Sequence, residues 1–110
     1  MAEPRTVSVE DLPASPTYVD VREAAEFAAG HVPGAVHIPL EDLPERAGEL
    51  PEGEVHVLCR AGGRATKGAR WLDANGWDAV VVEGGTIAWA EAGRPLVAEG
   101  EEPQGGPFVR

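Results

Sequence analysis

The sequence predicts an α/β domain built on a parallel sheet, and three observations carry that prediction. Strand-like apolar runs alternate with helix-like runs along the chain, the order that a parallel sheet with crossover helices requires. Residues 79–82 are four apolar residues in succession, Ala-Val-Val-Val, the pattern of a strand buried on both faces. Val55, Val57 and Leu58 lead into a lone cysteine, Cys59, followed by glycines and then a helical pattern. In such sheets ligands gather at the carboxyl ends of the strands, which is where this cysteine falls.

Composition narrows the function. A chain of 110 residues is one domain, and 43% hydrophobic with 25% charged residues is ordinary for a globular one. Nineteen acidic against nine basic residues give a formal charge of −10, which repels phosphate backbones and anionic bilayers. Neither a nucleic acid nor a membrane is therefore expected as a partner. No apolar run approaches membrane-spanning length, the first twelve residues carry no signal-peptide core, and one cysteine cannot close an internal disulfide. The expectation is a cytoplasmic protein with a reduced thiol.

Taken in order, Val7 and Val9 suggest a short edge strand over 6–8 and a helical turn over 9–12, then a proline-marked loop. Tyr18, Val19 and Val21 predict a short buried strand ending near Asp20. Arg22 and Glu23 open a helix over AAEFAA, residues 24–29, which Gly30 ends. Pro33-Gly34 is a turn pair, and Pro39 stops a very short strand at 36–37. Residues 40–53 read as one or two helical turns around Leu40, Leu43 and Leu50, with the carboxylates forming a solvated face. A strand to Leu58 precedes a helix over about 62–75, whose apolar face is Ala65, Ala69, Leu72 and Trp71. Asn75-Gly76 stops that helix, residues 79–82 form the best strand, and Gly84-Gly85 turn the chain tightly. A last helix, TIAWAEAG, faces inward with Ile87 and either Ala88 or Trp89. The domain spans 1–97, and residues 98–110 form a Gly-, Pro- and Glu-rich tail that wraps the surface or is partly disordered.

Chemistry concentrates at Cys59. A lone cysteine is most often a small buried hydrophobe. Here it sits between a strand's carboxyl end and a helix's amino end, where inward-facing loop N–H groups and the helix's partial positive charge favour thiolate over thiol. Gly62 and Gly63 let the loop backbone turn, and Arg60 and Arg64 bracket it. Asp20, at another strand end, is placed to line the same mouth. The three histidines and one cysteine have no metal-ligand spacing, so neither a metal nor another cofactor is expected. Trp71, Trp77 and Trp89 are accounted for by packing.

Four separated motifs in order, DVRE at 20–23, EFAAGHVPGAVHIP at 26–39, VLCRAGGRA at 57–65 and EGGTIAWAEAG at 83–93, resemble single-domain rhodaneses, the rhodanese-like sulfurtransferases. The resemblance covers about residues 6–97 and implies a mostly parallel five-stranded sheet flanked by helices. It also implies that Cys59 carries sulfane sulfur, taken from thiosulfate or a persulfide donor and passed to a thiol or a protein acceptor. The Cys59-to-Arg64 spacing, C-x4-R, resembles the short loop of this group, whereas related dual-specificity phosphatases and arsenate reductases use C-x5-R. Backbone N–H groups of Arg60, Ala61, Gly62, Gly63, Arg64 and Ala65 would stabilise the anionic sulfur. Ala65 stands where many members carry Ser or Thr, removing one hydroxyl from the loop. Arg60 is expected at the mouth, attracting an anionic donor. Arg64 is expected to bond loop carbonyls or to pair with an acidic neighbour such as Asp20. Asp20 and Arg22 are expected to support the site, Arg22 by capping and pairing at the strand end. His31 belongs to the scaffold turn, and His37 and His56 are bystanders. The competing expectations are a protein-to-protein sulfur relay, a phosphatase or arsenate reductase, and a non-catalytic interaction module.

Overall fold

A computed structural model describes residues 3–99. Five strands form one sheet: β1 (Arg5–Val7), β2 (Tyr18–Asp20), β3 (Val36–His37), β4 (Glu54–Leu58) and β5 (Asp78–Val82). Their spatial order is β1-β5-β4-β2-β3, and every pairing is parallel. The helices are α1 (Ala24–Ala29), α2 (Leu43–Arg46), α3 (Gly63–Ala74) and α4 (Gly85–Glu91).

Side-chain alternation along the strands builds two cores, one on each face of the sheet. Val55, Val57 and Cys59 of the central strand and its extension share one face with Val19, Ala79 and Val81. They pack there against Ala65, Ala69 and Leu72 of α3 and against Leu43 of α2. Leu58 and Val82 point the other way, to Tyr18, Val9 and Trp89 of α4. Sheet parity thus turns Cys59 toward the start of α3.

Local chemistry explains the element ends. The Glu23 carboxylate and that of Glu26 accept reciprocal backbone N–H bonds, a capping box that starts α1. Gly62, at φ 129°, turns the chain from the Cys59 loop into α3. Asn75 and the left-handed Gly76 end it as expected.

Three expectations need correction. Residues 40–49 form three successive turns, at Leu40–Asp42, Leu43–Arg46 and Ala47–Glu49. They are not only a solvated face, because Leu43, Ala47 and Leu50 are buried while Glu41, Glu45 and Glu49 stay outside. In α4 the buried residues are Gly85, Thr86 and Trp89, and Ile87 and Ala88 are only half-buried. Ile87 turns toward a surface groove instead. Trp71 also stays half-buried, stacked on Trp77 with ring centroids 6.4 Å apart.

Past α4, Val97 pairs with His31 in an antiparallel bridge, and the Glu99 N–H donates to the Ala28 carbonyl. Residues 100–110 of the expected tail lie outside the described residues. No helix among the described residues is long and apolar enough to cross a membrane.

Candidate active site

Cys59 follows the last residue of the central strand, and its side chain is almost wholly enclosed, at 1% exposure. The loop from Arg60 to Gly62 folds back over it, so that the Gly62 N–H donates to the Cys59 Sγ at 2.9 Å. The amino end of the twelve-residue α3 follows directly after this contact.

Three sets of bonds hold the loop. The Cys59 and Arg60 carbonyls accept the N–H groups of Thr86 and Ile87, at 2.9 and 3.2 Å, so the start of α4 is bolted to the loop. Gly85 makes this approach possible. A Cβ built there would fall 2.6 Å from the Arg60 carbonyl oxygen and closer still to that of Cys59. Its φ of 58° is in any case left-handed. Inside the loop, the Gly62 carbonyl accepts from both the N–H and the hydroxyl of Thr66. Arg64 contributes differently from expectation. Its guanidinium grips Glu26 of α1 through two bonds, at 2.6 and 3.0 Å, and reaches neither Asp20 nor a loop carbonyl. The loop carbonyls needed donors, and α4 supplies them from its backbone. The pairing holds the Glu26 carboxyl well below its ordinary range, at about 2, and raises the Arg64 value.

Asp20 is fully buried and pairs with Arg22, whose guanidinium also donates to the Gly30 carbonyl at 2.7 Å. This pair therefore braces the carboxyl end of α1 beside the site, and Asp20 does not line the mouth. His31 and His37 both stack on the ring of Phe27, at centroid distances of 3.7 and 4.4 Å. His31 Nδ1 bonds the Phe27 carbonyl, and His37 Nε2 donates to the Arg22 carbonyl. Both histidines are thus parts of the α1–β3 junction. No cluster of three or more His, Cys, Asp or Glu able to hold a metal occurs among the described residues.

Above Cys59 opens a cleft of about 420 Å³ lined by Cys59, Arg60, Ala61, Gly63, Arg64 and Lys67. Of the loop residues expected at the site, Gly62 does not line the cleft but bonds the sulfur through its N–H, and Ala65 is wholly buried in the core. Lys67 was not anticipated. It lies one helical turn beyond Gly63, on the same face of α3, a placement readable from i, i+4 spacing once the helix start is known. Arg60 also borders a second groove of about 390 Å³, whose walls include Ala29, Ile87, Ala90 and Leu96.

A thiol, an N–H aimed at its sulfur, and a cleft with cationic side chains above make this a candidate site for covalent transfer. The chain is 41% identical over 78 residues to YtwF of Bacillus subtilis (strain 168), provisionally named a sulfurtransferase, covering 70% of this chain and 76% of that one. It is 39% identical over 82 residues to a sulfurtransferase of Allochromatium vinosum, covering 73% and 77%. A crystal structure of a rhodanese-related protein from Thermoplasma volcanium superposes with a TM-score of 0.80 at 32% identity, over 86% of this chain and 99% of the other. The profile of the Rhodanese-like domain matches residues 8–92, from the first helical turn through the end of α4 and across the Cys59 loop. On fold, loop and sequence together, the chain belongs to the rhodanese-like domain family of sulfurtransferases.

Proposed function

We propose that the protein moves sulfane sulfur from thiosulfate to a thiophilic acceptor through a persulfide on Cys59. The Cys59 thiolate attacks the outer sulfur of thiosulfate. A new S–S bond forms, the donor's own S–S bond breaks, and sulfite leaves with the bonding electron pair. The terminal sulfur of the persulfide then carries the negative charge, within reach of the loop N–H groups. A nucleophilic acceptor, cyanide in a test tube or a thiol in the cell, attacks that sulfur and regenerates the thiolate. The observation that carries this reading is the Gly62 N–H held on the Cys59 sulfur at the floor of the cleft. A preorganised donor stabilises charge without reorganising during the reaction. Transfer to thiols needs a reducing medium, so we place the protein in the cytoplasm.

A protein acceptor is the second reading, favoured by the groove on the other side of Arg60. Leu96, the exposed large hydrophobic side chain among the described residues, lies in its wall.

The test is intact mass after incubation with thiosulfate. The wild type should gain one sulfur and lose it to cyanide with thiocyanate formed, and Cys59→Ala should gain none. Hydrolysis of an aryl phosphate that depends on Cys59, with no sulfur gained, would overturn the reading in favour of a phosphatase.

A further inference from the structure

The basic residues of this acidic chain are almost all occupied. Arg5 pairs with Glu54 and Asp78, Arg22 with Asp20, Arg46 with Glu49, Arg64 with Glu26, and Arg70 with Glu3. Arg94 lies over the Trp89 ring, 4.9 Å from its centroid. Among the described lysines and arginines, only Arg60 and Lys67 have no such partner, although acidic residues outnumber basic ones 19 to 9. Both line the cleft above Cys59. Their position is electrostatically poor for two cations, since no acidic side chain lines the cleft and the amino end of α3 adds its own positive potential. Two unpaired cations gathered where cations are least favoured mark a place made for a ligand of the opposite sign.

Arg64 is not free to take that ligand, because Glu26 holds its guanidinium by two bonds. The charge available to a substrate is that of Arg60, from the loop, and Lys67, from the helix. We propose that these two residues form a clamp for the sulfonate end of the thiosulfate dianion, with Lys67 setting the preference for a dianionic donor. The inference rests on the sulfur-transfer reading above and assigns the residues that select its donor. In the ground state the clamp holds the sulfonate. As the S–S bond breaks, that same group becomes sulfite, so the clamp also holds the leaving group.

Methanethiosulfonate is the discriminating probe. It offers the same outer sulfur and leaves as methanesulfinate, but a methyl group replaces one charged oxygen. Steady-state thiocyanate formation should be measured with each donor for the wild type, Lys67→Gln, Lys67→Arg and Arg46→Gln. In Lys67→Gln, kcat/KM for thiosulfate should fall about tenfold, mainly through KM, as expected for one lost charge in a partly screened site. The fall for methanethiosulfonate should be about threefold or less, because this monoanion carries one negative charge, not two, to lose its attraction to the lysine. Lys67→Arg should restore the wild-type ratio between donors. Arg46→Gln removes one positive charge far from the cleft and should leave both donors unchanged. An equal fall for both donors, or no fall, would overturn the clamp while leaving the Cys59 persulfide standing. If the wild type takes sulfur from neither donor by intact mass, the transfer reading and the clamp fall together.

Discussion

Gly85 decides how closely α4 can approach the Cys59 loop, and it does so by lacking one atom. A Cβ there would overlap two carbonyl oxygens of the loop, and the backbone is left-handed as well. Gly93 is left-handed too, at φ 82°, but nothing lies within 4 Å of where its Cβ would be. The pair separates conformational cost from steric cost. Gly93→Ala should lose about 1 kcal/mol, the ordinary cost of a left-handed alanine. Gly85→Ala should lose about 3 kcal/mol or more and should also slow persulfide formation, because relief of the overlap moves the loop. Urea unfolding of both variants checks this, and equal midpoints would show that α4 can withdraw from the loop without loss. The sequence marks Gly84-Gly85 as a tight turn. It cannot mark the second duty of Gly85, because the carbonyls it must clear belong to residues about 25 positions earlier in the chain.

At the scale of elements, the strand–helix order, the span of α1 and the two-residue β3 were legible because chain-local signals bound them, Gly30 and Pro39 among them. The C-x4-R loop was legible for the same reason. The partner of Arg64 was not. Glu26 lies 38 residues away on α1, and only the packing of α1 beside the start of α3 brings the two together. Lys67 escaped notice because an exposed helical lysine looks ordinary until the face it shares with the loop is known. The Glu26–Arg64 bridge should therefore behave as an α1–α3 tie. Both side chains are about one-third exposed, so solvent screens the pair and its coupling should be about 1 kcal/mol. A double-mutant cycle with Glu26→Gln and Arg64→Gln measures it. A coupling indistinguishable from zero would assign the placement of α1 to Arg22 and the Phe27 stack alone.

Across the whole molecule, acidification sets two opposed effects against each other. With a formal charge of −10, protonating surface carboxylates relieves self-repulsion and favours the compact state. Two specific groups act the other way. His56 is buried on β4 beside Tyr18, with its Nδ1 unpartnered, and burial pushes its value below the ordinary 6.5. The unfolded chain therefore takes the proton first, and this contribution to stability is lost as pH falls below 6.5 toward the lower folded value. Glu26 is held at about 2 against an ordinary 4.5. Its contribution is complete above pH 4.5 and is lost as pH falls toward 2. The background from the other carboxylates is common to all variants, so differences from the wild type isolate each group. In urea midpoints followed against pH, the gap between His56→Leu and the wild type should change mainly below pH 6.5, in favour of the variant. For Glu26→Gln the gap should stay constant above pH 4.5 and close in the variant's favour between 4.5 and 2. A His56→Leu gap that does not vary with pH would mean that β4 opens enough in the folded protein for the imidazole to protonate as it does in water. The buried face shared by Tyr18, Leu58 and Trp89 would then be looser than its packing implies.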